Sequence, residues 1–432
     1  MFQSPRRTSS CPRAKLSKPM KILIVTGLPG PVKDIWSGKM ENEITHAPQF
    51  FHPWYKLVQR GHQVDFIVAS NFNEPANIKV DWFREENILA NVYDPFSDAP
   101  WYKRLTRRAK RFAKLLYHTN KALSETDYDF VYCKAFYEGL AGNIVANLRG
   151  VPCGVRSMGT MLYKDFEDFG VLGTALRRPV EFITFKMDKE FFIMTDDGTH
   201  GDKVYEEWRP RKDKYEYLFW KTGVNTKGID DIEPSMPVPE HPYLFFAARI
   251  DDWKRHDRLI EVLRMLHEEG EHLHMYFAGS VQSPGYLQKL EDRIAELGLG
   301  DYVHFLGPIK QDDVKSLAYH AVANPSMYDY SNLGNVFFEI WSAGAVVVGL
   351  NDGSLDDYVI DDDTGFLVDD EKAACDAIVR LLREDGLGER IRERSIASAK
   401  EKVLSIDERF DREVELIERV AQEAGMKRGV FR

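Results

Sequence analysis

The chain is poor in cysteine: Cys11, Cys133, Cys153 and Cys375 stand far apart in 432 residues and form no CxxC or Cys/His spacing. That excludes a disulfide framework and a structural zinc motif, and predicts reduced thiols in a cytoplasmic protein. Nowhere does an apolar run approach the ~18 residues of a membrane span. Residues 1–19 (MFQSPRRTSSCPRAKLSKP) are basic, polar and Pro-rich without a hydrophobic segment. They do not read as a signal peptide; a disordered tail is expected, with Met20 as the alternative working start. Positive charge is not in excess: 58 Lys+Arg against 68 Asp+Glu leave a net charge of -10, which argues against a nucleic-acid partner. Also missing is GxGxxG after the first strand, and no acidic residue ends the second, QVDFIVAS. A dinucleotide oxidoreductase is therefore a poor fit.

What remains is an ordinary globular composition, 44% hydrophobic and 29% charged, in a chain too long for one core. Strands are expected at Lys21–Thr26, Gln63–Ser70, Phe130–Cys133, Gly154–Ser157, Phe191–Thr195 and Glu216–Trp220, alternating with helical stretches such as LAGNIVANLR and VYEEW. After KTGVN the Pro-rich IEPSMPVPEHP satisfies no regular period and reads as a linker. A second series follows, with LFFAA, HMYFAG, HFLG, VANP, AVVVG and GFLV as strands between amphipathic helices. The fold class is thus α/β, two doubly wound domains: residues 20–225, a linker over 226–241, and residues 242–404. Residues 405–432 contain an amphipathic helix, with Phe410, Val414, Ile417 and Val420 on one side, expected to cross back to the first domain.

The stretch Tyr328–Leu350 combines a polar turn, a helix and a buried strand. Leu333, Val336, Phe337, Ile340 and Trp341 recur at helical spacing, and Ala345–Leu350 suits a parallel strand covered on both faces. Ser331, Asn335 and Glu339 fall at i, i+4 intervals, and Ser331 or Asn332 is expected to cap the helix. A strand, turn and helix in this order present backbone NH groups and the positive end of a helix dipole at the sheet's carboxyl edge, which is an anion site. Gly334 clears the approach, and Glu339 is placed for sugar hydroxyls. Arg249 and Lys254 follow the strand LFFAA at the same edge. A bidentate fork with a point charge suits a diphosphate, although a loop paired to Asp251, Asp252 and Asp257 would use the same residues.

Arg249, Lys254, the turn at Ser331–Asn335, Glu339, SAGAVVVG and DDTGFLV together resemble glycosyltransferase family four. The resemblance is specific over about Ala247–Val368 and is carried upstream by RGHQVD, SMGT, TDDGTHGDKV and WKTGVN. It implies a GT-B fold, two Rossmann-like domains facing across a cleft. It also implies retaining transfer of a sugar from a nucleotide-diphosphate donor, with no metal and no cofactor beyond the nucleotide sugar as co-substrate. On the same resemblance Arg249 and Lys254 hold the diphosphate, with Gly30 and Gly38 lining the phosphate side. The backbone of Asn335 and Val336, next to Ser331, Asn332 and Gly334, assists. Glu339 holds the ribose, and the Pro308 and Ile309 backbone meets the nucleobase. The family usually has a glutamate where this chain has Ser331 and a histidine where it has Met158. Arg156 and Thr160 are the polar neighbours of Met158, and His46 is an acceptor-side candidate.

Asp196, Asp197 and Thr199 either face the cleft or cap VYEEW, and His62 is expected to cap carbonyls at a helix end. Residues 101–116 (WYKRLTRRAKRFAKLL) carry seven cations and no acid. Leu105, Ala109, Phe112, Leu115 and Leu116 form the apolar face of a helix that either packs on the first domain or meets anionic lipid. The expected function is transfer from a UDP- or GDP-sugar to a glycan or lipid-linked acceptor, in the cytoplasm or at the inner membrane face, in surface glycan or glycolipid synthesis. The alternatives are a sugar-nucleotide epimerase and a nucleotide-sugar-binding protein without turnover.

Overall fold

A computed structural model describes residues 18–27, 51–70, 80, 82–93, 101–210, 212, 214–328 and 334–430, with the side chains of 101–105 and 427–430 set aside. Seven parallel strands form the first sheet: β1 (Lys21–Gly27), β2 (Gln63–Ser70), β3 (Ile88–Tyr93), β4 (Phe130–Lys134), β5 (Cys153–Ser157), β6 (Phe191–Asp196) and β7 (Glu216–Lys221). Their order is β3-β2-β1-β4-β5-β6-β7. The central strands are covered on both faces, which is why they read as unbroken apolar runs. The edge strand β3 is half-exposed and its sequence, ILANVY, lacks such a run.

The second domain contributes β8 (Tyr243–Ala247), β9 (His274–Ala278), β10 (Val303–Gly307), β11 (Asn324–Ser326), β12 (Val347–Leu350) and β13 (Phe366–Val368). Two three-stranded ribbons, β10-β9-β8 and β11-β12-β13, join where Leu244 bridges Ala323, and Val322 N donates to Tyr243 O at 2.9 Å. Every pairing is parallel, so all carboxyl ends share one edge. That edge is where doubly wound sheets hold ligands.

The helix expected from Leu333 runs over Asn335–Ser342 (α1), with Gly334 at the N-cap and no side-chain cap. The cap assigned to Ser331 or Asn332 falls outside the described residues.

The chain passes between domains twice, and the two passages pair. Val224 bridges Ser405, Val224 N donates to Leu404 O at 3.2 Å, and Ile406 N donates to Val224 O at 3.1 Å. Gly223 permits this crossing: a Cβ there would lie 2.7 Å from Ser405 O and 2.9 Å from Ile406 Cα. The last helix (α2, Ile406–Val430) then returns to the first sheet. Its Val414, Ile417 and Val420 pack with Met20, Ile22 and Trp54. His62 takes part in this seam instead of capping carbonyls. It accepts from Met20 N through Nδ1 and reaches Glu418 through Nε2 at 2.8 Å.

Arg156 also belongs here. It is 1% exposed and donates from Nη1 to both oxygens of Glu413 at 3.0 Å, so it is a buried tether and not the acceptor-side group expected from its position near SMGT. Arg409 Nη1 (3.0 Å) and the Tyr132 hydroxyl donate to the same carboxylate. Burial opposes the charge on Glu413, but Arg156 and Arg409 outweigh it and hold the pKa below the usual range. Lys134, also buried, is pushed well down by burial and then by Arg156. Glu413→Gln leaves two guanidiniums buried against no anion and should lower the unfolding free energy by about 3–5 kcal/mol. An unfolding free energy from denaturant titration within about 0.5 kcal/mol of wild type would show that the cluster does not hold the helix.

Candidate active site

A cavity of about 200 Å³ opens at the carboxyl edge of the second sheet, lined by Arg249, Lys254, Ser326, Tyr328 and the first turn of α1, Gly334 to Phe337. The loop after β8 is set by its own acid: Asp251 accepts from Lys254 N at 3.1 Å and lies 3.5 Å from Arg249 Nη2. Asp257 pairs with Arg255 instead, so the self-neutralised loop that the sequence also allowed is only partly formed. Arg249 keeps a side chain 62% exposed. Lys254 is enclosed, with Nζ 3.9 Å from the centre of the Tyr328 ring. Burial pulls its pKa down to about 8, against Asp251 and with the help of Arg249.

Gly334 needs no glycine for its own fold. Its φ is -72°, and an added Cβ would meet only the Tyr328 hydroxyl, at 3.8 Å. The space in front of it faces the cavity, as an approaching phosphate would require. The sequence-derived Arg249, Lys254, Gly334, Asn335 and Val336 are thus brought together. Gly30, Gly38, His46, Ser331 and Asn332 lie outside the described residues.

Glu339 does not line this cavity. It sits on the neighbouring side of α1, where burial raises its pKa while a hydrogen bond from Gln311 and the charge of Lys315 oppose the rise. Gln311 Oε1 accepts from Asn225 Nδ2 at 3.0 Å, and the fully buried Lys315 donates to Asn225 O and Lys227 O at 2.7 and 2.8 Å. Glu339 is therefore wired to the start of the interdomain connection. Sequence reasoning missed Gln311 and Lys315, whose signal was their place just after GPI. Ile309 and Val336 both pack against the apolar cluster that contains Ile340, and Pro308 is exposed.

Across the cleft, Gly159 of SMGT leaves room for Asp197: a Cβ there would fall 1.7 Å from the carboxylate. Thr199 donates to Asp197 from Oγ1 at 2.6 Å and accepts from Thr160 N at 2.7 Å, which interlocks the two segments. Asp197 is no helix cap, since His200 holds the N-cap position of Gly201–Trp208. Burial raises its pKa, and its field reaches Lys254 and Tyr328 of the other domain. Asp196 pairs with Lys221. Met158 is half-buried, with Sδ 3.9 Å from Thr195 Oγ1, and Thr160 lines a separate hollow of about 240 Å³ with Arg178 and Glu181.

The basic stretch lies in one helix, Trp101–Glu125. Leu115 is buried, Phe112 and Leu116 are half-buried, but Ala109 is exposed, so the expected apolar face is narrower; the side chain of Leu105 is outside the description. Arg111 is paired with Glu138. Arg108, Arg111, Phe112, Tyr137, Arg177 and Arg178 line a groove of about 700 Å³, and the helix that ends at Arg177 exposes Leu172 (80%) and Leu176 (81%). Among the described residues no helix is long and apolar enough to cross a membrane.

Two facing Rossmann-like domains, a pinned last helix and an anion pocket at the second domain's carboxyl edge define a GT-B protein. Residues 208–400 match the family of glycosyl transferases group 1, the part of the chain on which the sequence resemblance was most specific. A stretch of 154 residues is 27% identical to the GDP-mannose-dependent alpha-(1-6)-phosphatidylinositol monomannoside mannosyltransferase of Mycobacterium tuberculosis, covering 33% of this chain and 39% of that relative. Similar solved structures include Anabaena HepE in complex with UDP (TM-score 0.63, 16% identity, 92% of this chain and 99% of that one). Another is WaaG, a glycosyltransferase involved in lipopolysaccharide biosynthesis (TM-score 0.62, 16% identity, 92% and 99%).

A lysine with a pKa of about 8 is half-protonated at pH 8 in the empty site, and a diphosphate beside it favours the charged form. Binding of UDP or GDP at pH 8 should then take up about half a proton. Affinity should be full below about pH 8 and fall as pH rises above it. Calorimetry in buffers of different ionisation heat reads this directly; zero uptake with the better-binding nucleotide would place the phosphates away from Lys254.

Proposed function

We propose that the protein transfers a sugar from a UDP- or GDP-linked donor to an acceptor hydroxyl, with retention at the anomeric carbon. The observation that carries this is the convergence of Arg249, Lys254 and the first turn of α1 on one cavity. When the bond from the sugar to the β-phosphate breaks, negative charge grows on the leaving diphosphate. Two cations and a helix start, already fixed there, stabilise that charge more than they stabilise the donor. The compensation comes from the chain itself, so the nucleotide sugar is the co-substrate and turnover should survive a chelator. Glu339, beside the cavity, takes the ribose role once a nucleotide displaces Gln311 from it. The names of the relatives, which mention GDP-mannose and UDP, support a nucleotide-sugar donor.

The acceptor enters from the first domain. The hollow beside Thr160 and the arginine-lined groove suit a glycan or an anionic lipid-linked acceptor. The exposed cations Arg108 and Lys110, with Leu172 and Leu176, suit contact with an anionic membrane surface, which fits a place at the inner face of the membrane in surface glycan or glycolipid synthesis.

Steady-state kinetics with the donor that binds test the proposal. Lys254→Ala should lower kcat by about 10- to 100-fold with a smaller rise in donor KM, as expected for a charge-assisted bond of about 1.5–3 kcal/mol made in the transition state. Glu339→Gln should act mainly on KM. Wild-type turnover in both Arg249→Ala and Lys254→Ala would refute the assignment, and donor binding with no turnover in the wild type would favour a binding protein.

A further inference from the structure

At the opposite edge of the second sheet three imidazoles meet. His241 ends the interdomain connection, His274 opens β9 and His304 is the second residue of β10; one nitrogen from each lies within 4.8 Å of the others. His274 Nδ1 and His304 Nε2 are 2.9 Å apart, and the His241 and His274 ring centres are 3.7 Å apart. Two ligands held about 2.0–2.1 Å from a tetrahedral ion stand roughly 3.3 Å from each other, so this pair needs to open by only a few tenths of an ångström.

We propose that His241, His274 and His304 form a site for a borderline transition-metal ion of the zinc class, with a solvent molecule in the fourth position. A ligating histidine donates its other ring NH to a fixed acceptor. The Tyr276 hydroxyl oxygen, 2.9 Å from His241 Nε2, is that acceptor, which leaves the lone pair on Nδ1 for the ion. The Tyr276 ring also stacks on His304, with centres 4.4 Å apart, and so orients two of the three ligands. The residues come from three separate segments, so an ion there joins the end of the interdomain connection to β9 and β10. The site lies a strand's length, about 15 Å, from the phosphate cavity, and its role is to fix the connection and not to act on the sugar.

The test uses the full chain, stripped with a chelator and titrated with Co²⁺ alone, then Zn²⁺. Wild type should bind about one Co²⁺ with tetrahedral absorption bands that Zn²⁺ displaces. His241→Ala, an exposed position that should not disturb folding, and His304→Gln should each weaken binding by at least about 100-fold, since even outer partners contribute about 10- to 100-fold; Tyr276→Phe should lose about 10-fold. Zn²⁺ should raise the thermal midpoint of the wild type and leave that of His241→Ala unchanged. Equal Co²⁺ affinity in wild type and His241→Ala, or equal Zn²⁺ shifts in both, overturns the proposal.

Discussion

Glu413 meets two guanidiniums and a tyrosine hydroxyl at a point where no solvent reaches, and the relative placement of the two domains follows from that contact. Its helix is the continuation of the second domain, reached through the strand pair at Val224 and Ser405. Arg156 reaches it from β5, and Arg409 ties the same helix to the end of β7 by donating from Nε to Lys221 O at 2.7 Å. A helix held by apolar packing alone could slide along the sheet. A buried carboxylate with directional donors fixes its register, because any shift leaves a charge uncompensated in a medium of low polarity. Pinning the helix to β5 and β7 thereby sets where the second domain's carboxyl edge faces the first.

That placement puts Asp197 opposite Lys254 and Tyr328, and it explains why Lys254 can be both enclosed and close to the cleft mouth. The enclosed ammonium is held at a cost in solvation, with Asp251 as a partial partner; an incoming anion relieves the rest. Two glycines frame the cleft for opposite reasons. Gly159 is filled by the Asp197 carboxylate of its own chain, whereas the space before Gly334 is left by the protein. One is a packing requirement and the other an opening. The network from Asn225 through Gln311 to Glu339 extends the effect, since it links a carboxylate beside the cavity to the segment that must flex if the domains close.

Much of this was legible because a parallel sheet buried on both faces leaves continuous apolar runs. Lys21–Gly27, Gln63–Ser70 and Phe130–Lys134 could be located almost to the residue, while half-exposed β3 could not. The helices over Leu162–Arg177 and Pro179–Lys186 left no such signal. One bends at Gly170, with φ 68° and ψ 164°, and their apolar residues Leu172, Leu176 and Ile183 face outward, which blurs a helical period. The cavity at the carboxyl edge was readable because its parts follow strands in a fixed order, so sequence position alone carries them to one edge. Arg156 was not, since an arginine at a strand end looks the same whether it faces a cleft or a carboxylate 257 residues away. Separation along the chain likewise hid the seam role of His62 and the meeting of His241, His274 and His304.

The central claim is that one anion pocket, built by Arg249, Lys254 and the start of the helix at Asn335, receives the donor's diphosphate. A crystal structure with UDP or GDP, whichever binds, tests it most directly. The account predicts phosphate oxygens within hydrogen-bond distance of Lys254 Nζ, the Arg249 guanidinium and the backbone NH groups of Asn335 and Val336, with ribose hydroxyls turned to Glu339. A nucleotide bound elsewhere, with Lys254 still packed on Tyr328 and no phosphate before Gly334, would contradict it.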